Sequence, residues 1–187
     1  MDESPQFYRD DQEWTAFAQR LKLTPCPHCK LFGNLNRHGC LRGFDDSSPK
    51  QPTLRARRVF CSNRNARHGC GRTFSVWCAD KIRRLSLTTG TLLRFLTLAF
   101  TGSILAAFHA TISHLSDRTG YRVWERFILA QSKIRTALSG QYPPPNPPTA
   151  SQRRPAQAQV LAHLQAAFPD ANCPIAAFQH TLHTFFV

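Results

Sequence analysis

The chain has 187 residues, is 42% hydrophobic and carries a formal charge of +13, from 24 Lys and Arg against 11 Asp and Glu. This is an ordinary globular composition, long enough for a modest core and short for an enzyme-sized domain, so two or three small modules are expected. Seven cysteines, an odd number, argue against a secreted disulfide framework, and no basic head, apolar run and cleavage site opens the chain. An intracellular, cytoplasmic and nucleoid-associated protein is expected.

The first 14 residues hold Asp2, Glu3, Asp10, Asp11 and Glu13 against Arg9 alone. Trp14, Phe17, Ala18 and Leu21 recur at helical spacing among polar residues, which predicts a short acidic amphipathic helix within residues 1–23. The charge then reverses. Residues 20–84 hold 15 basic and 3 acidic side chains, a surplus that attracts phosphates and gains from counterion release. Arg outnumbers Lys there, which suits bidentate contacts to phosphate or guanine.

Residues 24–80 contain two cysteine pairs, Cys26-Pro27-His28-Cys29 and Cys61 with Cys70. A CPxC turn aims two thiolates at one point, and a distant second pair closes a tetrahedron, so a single zinc ion held by Cys26, Cys29, Cys61 and Cys70 is expected. The eight residues between Cys61 and Cys70 exceed the usual two to four, but Ser62 to Gly69 are polar and basic and can loop out. His68 in place of Cys70, or His38 or Cys40 in place of a member of either pair, stays open. Cys78 and Cys173 read as small buried residues. Leu54 to Cys61 and Arg72 to Trp77 have strand character and are expected to pair across the metal, with residues 44–53 as a polar excursion between the knuckles.

Residues 85–140 read as three helices. Leu92, Leu93, Phe95, Leu96 and Ala99 form one stripe, Thr101-Gly102 breaks it, and Ser103 caps a second helix with Ile104, Leu105, Phe108, Ile112 and Leu115 inward. The third runs from Ser116-Asp117 to Leu138, buries Val123, Trp124, Phe127, Ile128, Ile134 and Leu138, and ends at Gly140. Arg118, Arg122, Arg126 and Lys133 mark a basic stripe along it, as a helix-turn-helix needs to enter a major groove; a solvated face on a helical bundle fits the same pattern. Residues 95–116 carry no charge, but Thr, Ser, Gly and His interrupt them, so paired water-soluble helices are favoured over a membrane span.

Tyr142-Pro143-Pro144-Pro145-Asn146-Pro147-Pro148 sets an extended linker over 141–154. Residues 155–187 then read as a helical pair. Val160, Leu161, Leu164, Ala167 and Phe168 line the first helix, and Ile175, Phe178, Leu182, Phe185 and Phe186 a second after Pro174. The pair either folds back on the preceding helices or joins a second copy in a homodimer.

The order CPHC, then Arg57-Arg58-Val59-Phe60-Cys61, then Cys70-Gly71-Arg72-Thr73-Phe74-Ser75 resembles the N-terminal zinc ribbon of bacterial insertion-sequence transposases, in which a helix-turn-helix commonly follows. The likeness covers residues 24–80 by motif and 85–140 by pattern. It implies the same four cysteine ligands and places the arginines about the second knuckle, Arg55, Arg57, Arg58, Arg64, Arg67 and Arg72 with Arg83 and Arg84 beyond, on the DNA side. A transposase's three metal-binding carboxylates have no counterpart. After the ribbon only Asp80, Asp117, Glu125 and Asp170 remain, and no alternating αβ pattern follows. His180 and His183 read as polar positions on a surface helix, not a metal pair.

The expected architecture is therefore a small α+β chain: a zinc-ribbon β module, a helix-turn-helix-like module and a C-terminal helical pair. The expected partners are double-stranded DNA and a separate catalytic transposase chain, with no catalysis by this chain itself. An RNA- or single-strand-binding zinc module is the alternative, favoured if Phe60, Phe74 or Trp77 are open for stacking. A small membrane protein with a zinc-stabilised head is the second alternative.

Overall fold

The computed structural model describes residues 6–64, 68–112, 115–145 and 155–187. It is a small α+β protein that divides into two compact units, Met1–Lys81 and Ile82–Val187.

The first unit is built on a four-stranded mixed sheet in the order β1-β4-β3-β2. Its strands are β1 (Phe7–Tyr8), β2 (Leu35–Asp45), β3 (Ser48–Cys61) and β4 (Thr73–Cys78). β1 lies parallel to β4, and the other pairs are antiparallel. Helix α1 (Asp11–Gln19) begins where Asp10 accepts the Glu13 N–H at 2.8 Å, while the Glu13 carboxylate accepts the Arg9 N–H at 2.7 Å. This reciprocal arrangement satisfies two amides and fixes the helix start. Its buried residues Trp14 and Phe17, with Leu21 beyond, pack on Leu35, Val59 and Val76 from one face of the sheet. The two-residue β1 strand is too short for an alternation signal and was not expected from the sequence.

Residues 44–53 are not an excursion. β2 and β3 form one long hairpin, paired from Leu35↔Cys61 to Asp45↔Ser48, with register shifts on the way. Asp45 holds the turn. Its carboxylate accepts the Ser47 N–H (3.0 Å) and hydroxyl (2.5 Å), the Thr53 hydroxyl (2.6 Å) and the Lys81 ammonium (2.9 Å). Pro49 and Pro52, which suggested a loop, lie where β3 has β2 alone as a neighbour, since β4 pairs only with Ala56 to Phe60. A missing N–H is tolerated in such an edge segment.

The second unit is helical: α2 (Thr89–Thr101), α3 (Ile104–Thr111), α4 (Asp117–Ser139), α5 (Pro155–Ala167) and α6 (Pro174–Leu182). Gly102 ends α2, and the Ser103 hydroxyl caps α3 by accepting the Ala106 N–H at 3.0 Å. The uncharged run 95–116 is thus cut into two short helices, and among the described residues no helix is long and apolar enough to cross a membrane. Gly120 lets α4 approach α3 closely, because a Cβ there would lie 2.8 Å from a Phe108 ring carbon.

Two inward assignments are corrected. Leu105 and Ile128 are exposed. Ala107 and Phe108 provide the buried face of α3, and the α4 stripe steps through Val123, Trp124, Phe127, Gln131, Ile134 and Leu138, leaving Ile128 on its flank. The C-terminal helices fold back in this unit: Leu164, Ile175 and Phe178 share one core with Leu92, Phe95 and Phe127. α6 stops at Leu182, short of the expected end. His183 takes a left-handed conformation (φ 47°), and the chain returns so that Phe186 stacks on Phe127 at 6.1 Å and meets Phe178 edge-on. His183 is therefore a helix terminus, not a helical position.

Candidate metal centre and nucleic-acid interface

Two loops bring the four cysteines together. In the first, the Cys26 carbonyl accepts the Lys30 N–H (2.8 Å), the Leu31 carbonyl accepts the Cys26 N–H (3.0 Å), and Lys30 turns the chain with φ 62°. The Cys26 sulfur accepts the His28 N–H at 3.4 Å. In the second, the Cys61 sulfur accepts the Cys70 N–H at the same 3.4 Å, so the two loops present their first sulfur alike.

The long insert does not spoil this match, because Ser62 and Gly69 pinch its neck. The Gly69 N–H donates to the Ser62 carbonyl at 3.0 Å, and the Gly71 N–H to the Cys61 carbonyl at 2.9 Å. Only glycine fits at position 69, where a Cβ would lie 2.2 Å from the Ser62 oxygen and 2.7 Å from the Cys61 sulfur. Glycine also suits position 71, with φ 70°.

The sulfurs of Cys26, Cys29, Cys61 and Cys70 all lie within 4.8 Å of one another. Cys26 and Cys70 are 3.8 Å apart and Cys29 and Cys61 3.7 Å. Metal–sulfur bonds of about 2.3 Å in a tetrahedron require edges of ~3.8 Å, so this donor set fits a four-thiolate metal ion. His38, Cys40 and His68 stand outside the cluster.

Burial pushes the Cys26 and Cys61 thiols up, Cys61 to about 12, while the Leu31 backbone N–H helps to bring Cys29 down to about 7. Four thiolates this close repel unless a cation joins them. Such an ion would be held by these four side chains with no open position. Its chemistry would be that of a structural staple.

No protein-family model, curated protein or solved structure matches this chain. What the surroundings can do therefore rests on the placement of its own residues.

Strand alternation assigns the sheet two faces. Leu35, Val59, Val76 and Phe74 turn toward α1 and the sulfurs. The neighbours in the pairs Asn36↔Phe60, Phe60↔Thr73 and Arg58↔Ser75 turn the other way. On that second face the His38 ring lies 5.4 Å from Phe60 and inclined by 35°, and the Arg64 guanidinium lies 6.0 Å above the same ring. Arg58, Arg64 and Arg72 are exposed.

The remaining arginines of the sequence reading are placed otherwise. Arg55 is only 7% exposed and donates to the Phe44 carbonyl at 3.0 Å. Arg57 lies over the Trp14 ring at 5.7 Å and pairs with Asp11 at 2.6 Å. Both are used inside the first unit. Arg67 lies outside the described residues. Phe74 is packed in the core face with His28 edge-on at 6.3 Å, and Trp77 is half-buried.

In the second unit Arg118 and Arg122 are exposed on the first half of α4. Arg126 donates to the Arg84 carbonyl at 3.5 Å and Lys133 to the Phe185 carbonyl at 3.2 Å, while Arg83 lies 5.0 Å over the Phe185 ring. The stripe thus divides into two solvent-facing arginines and two cations engaged with backbone carbonyls, Arg126 with the segment before α2 and Lys133 with the chain folded back after α6. Sequence reasoning offered His38 only as an alternative metal ligand, not as a neighbour of Phe60, and did not name the exposed Arg37 and Arg42 on the same strand. Those arginines were visible in the charge surplus, but nothing local marked which would remain exposed, or that Arg42 would donate to the Pro52 carbonyl at 3.5 Å.

Proposed function

We propose that the chain is a zinc-dependent DNA-binding protein, a transposase-like recognition component or regulator of a mobile element with no catalysis of its own. The observation that carries the binding part is the sheet face on which Arg58, Phe60 and Arg64 gather beside a four-cysteine metal site. Zinc is the ion of choice, because it takes four thiolates tetrahedrally without redox chemistry. In this reading the metal fixes the two loops, Arg58, Arg64 and Arg72 hold phosphates, and Arg118 and Arg122 approach a groove. The mobile-element part rests on the motif order from CPHC to CGRTFS alone. A separate chain would then supply strand cleavage.

One observation favours a second reading. Phe60, flanked by His38 and Arg64, has the composition of a stacking site for an unpaired base, which suits RNA or single-stranded DNA. Selection from random duplex and single-stranded pools by zinc-loaded protein, at low and high salt, tests both. A duplex motif that persists at high salt supports sequence recognition. Enrichment of single strands only transfers the function to the second reading, and retention that vanishes with salt for every pool reduces the protein to a phosphate clamp.

A further inference from the structure

The second unit holds a cavity of about 440 Å3 between the segment before α2, the middle of α4 and the chain after α6. That volume falls within the ~300–1,000 Å3 of small-molecule sites. Arg83, Arg84, Arg126 and Lys133 all line it, and none of the lining side chains is acidic. Among the described residues none of these four cations has a carboxylate within ion-pair distance. Four positive charges gathered in one concavity repel one another, and an anion entering it relieves that repulsion.

The backbone is shaped to hold this arrangement. Arg84 adopts a left-handed conformation (φ 61°), unfavourable for a side chain that bears a Cβ, and its carbonyl meets Arg126. His183 makes a second left-handed turn that brings Phe185 back to Lys133. Each of these contacts uses one donor of a side chain that has several, so most of the guanidinium and ammonium N–H groups stay available. The rest of the wall is apolar. Phe185 backs the Arg83 guanidinium at 5.0 Å, and Leu129, 83% exposed, forms a lip. A guanidinium plate backed by a ring is a surface on which a flat aromatic group stacks.

We propose that this cavity binds a nucleoside phosphate, with the phosphate among Arg84, Arg126 and Lys133 and the base between the Arg83 plate and Leu129. A bare anion would leave the apolar part of the wall unused, and an apolar ligand would leave the four charges uncompensated. The shared chemistry, a phosphate joined to a flat ring, has two sources: a free nucleotide or the terminal nucleotide of a strand. The inference stands on the second unit alone and holds whether or not the metal centre recognises DNA.

The test is calorimetric titration of the full-length, zinc-loaded protein with adenosine 5′-monophosphate, adenosine and inorganic phosphate in a low-salt, phosphate-free buffer. Adenosine monophosphate is expected to bind at least about tenfold more tightly than either fragment. Leu129→Glu adds a negative charge at an exposed position that the fold does not need, and Arg83→Gln removes the plate; each should weaken that binding by about tenfold. Arg94→Gln, on exposed α2 surface away from the cavity, should leave it unchanged. A 5′-phosphorylated tetranucleotide that binds more tightly than both its unphosphorylated form and the mononucleotide identifies a strand end as the source; the opposite ranking identifies a free nucleotide. The proposal is overturned if adenosine monophosphate binds no better than phosphate, or if Leu129→Glu and Arg83→Gln both bind it as the parent does.

Discussion

In the first unit Cys26 and Cys61 are themselves core residues, packed with Trp14, Leu35 and Val59, whereas the second unit closes its core with Phe95, Phe127, Phe178 and Phe186. Among its described residues the first has one short α-helix laid on one face of a sheet, and its loops converge on sulfur. The second surrounds its aromatic rings with helices on several sides. Candidate ligands that double as core would link the folding of the first unit to a bound metal ion, because residues that must pack together would also have to shed protons and accept a cation. The second unit has no such linkage.

Metal removal should separate the two most sharply. Binding of a structural zinc is worth ~10–16 kcal/mol in small zinc modules, more than a domain of this size otherwise holds in reserve. Chelation, or Cys61→Ser, should therefore abolish amide protection in hydrogen exchange up to about Lys81 and leave protection in Phe95, Phe127 and Phe178 intact. Loss of protection in both halves together would mean that the two fold as one cooperative body. Equal zinc content in Cys61→Ser and parent would refute the ligand set.

The converse substitution lies in the second unit. Phe127 is fully buried and touches Phe100, Trp124 and Phe186. Phe127→Ala should cost about 3–5 kcal/mol through lost burial and the cavity left behind. Thermal denaturation should show that loss in the helical transition, while zinc content stays stoichiometric.

How legible this was in the sequence follows the range of the forces involved. The CPHC knuckle, the Ser103 cap after Gly102 and the apolar α4 stripe are local patterns, and each appeared where the residues placed it, Ile128 of the stripe excepted. The β2–β3 hairpin did not. Its turn depends on Lys81, 36 positions from Asp45, reaching the carboxylate, and two prolines spoke locally for a loop. The return of Phe186 past the end of α6 was equally hidden, because one left-handed residue at His183 decides it. At the candidate metal centre the convergence of the four cysteines was legible from their pairing in sequence. The pinched neck at Gly69 was not, since its need for glycine comes from the Ser62 carbonyl opposite.

Asp45 provides a third comparison within the first unit, between a charge and its neutral isostere. Asp45 is 2% exposed; burial works to raise its pKa, but hydrogen bonds from Ser47 and Thr53 and the Lys81 ammonium overcome that and hold the carboxyl well below the usual range. A depressed folded pKa contributes stability that is present above the unfolded value of about 3.9 and is lost as pH falls through the folded value. Asp45→Asn leaves Lys81 with Asp80, at 3.1 Å, as its remaining carboxylate partner and weakens the bonds from Ser47 and Thr53, so it should cost about 1–3 kcal/mol at neutral pH. The stability difference between parent and variant should be largest above about pH 5 and should narrow as pH falls below it, over the range in which the first unit stays folded. A difference independent of pH would assign the cost to packing.

The smallest expected effect distinguishes arginines spent on the fold from those left exposed. Arg57 and Arg58 are adjacent, yet the strand turns one toward Trp14 and Asp11 and the other to the face shared with Phe60 and Ser75. Arg58→Gln should leave the melting temperature unchanged and reduce the dependence of log affinity on log salt by ~0.9 for a duplex or ~0.7 for a single strand, the release of one counterion. Arg57→Gln should instead lower the melting temperature slightly and leave the salt slope intact. The two slopes, measured on duplex and single-stranded probes of equal length, therefore report which face meets phosphate. If Arg57→Gln changes the slope and Arg58→Gln does not, the nucleic acid lies on the α1 side of the sheet and Phe60 has no part in its recognition.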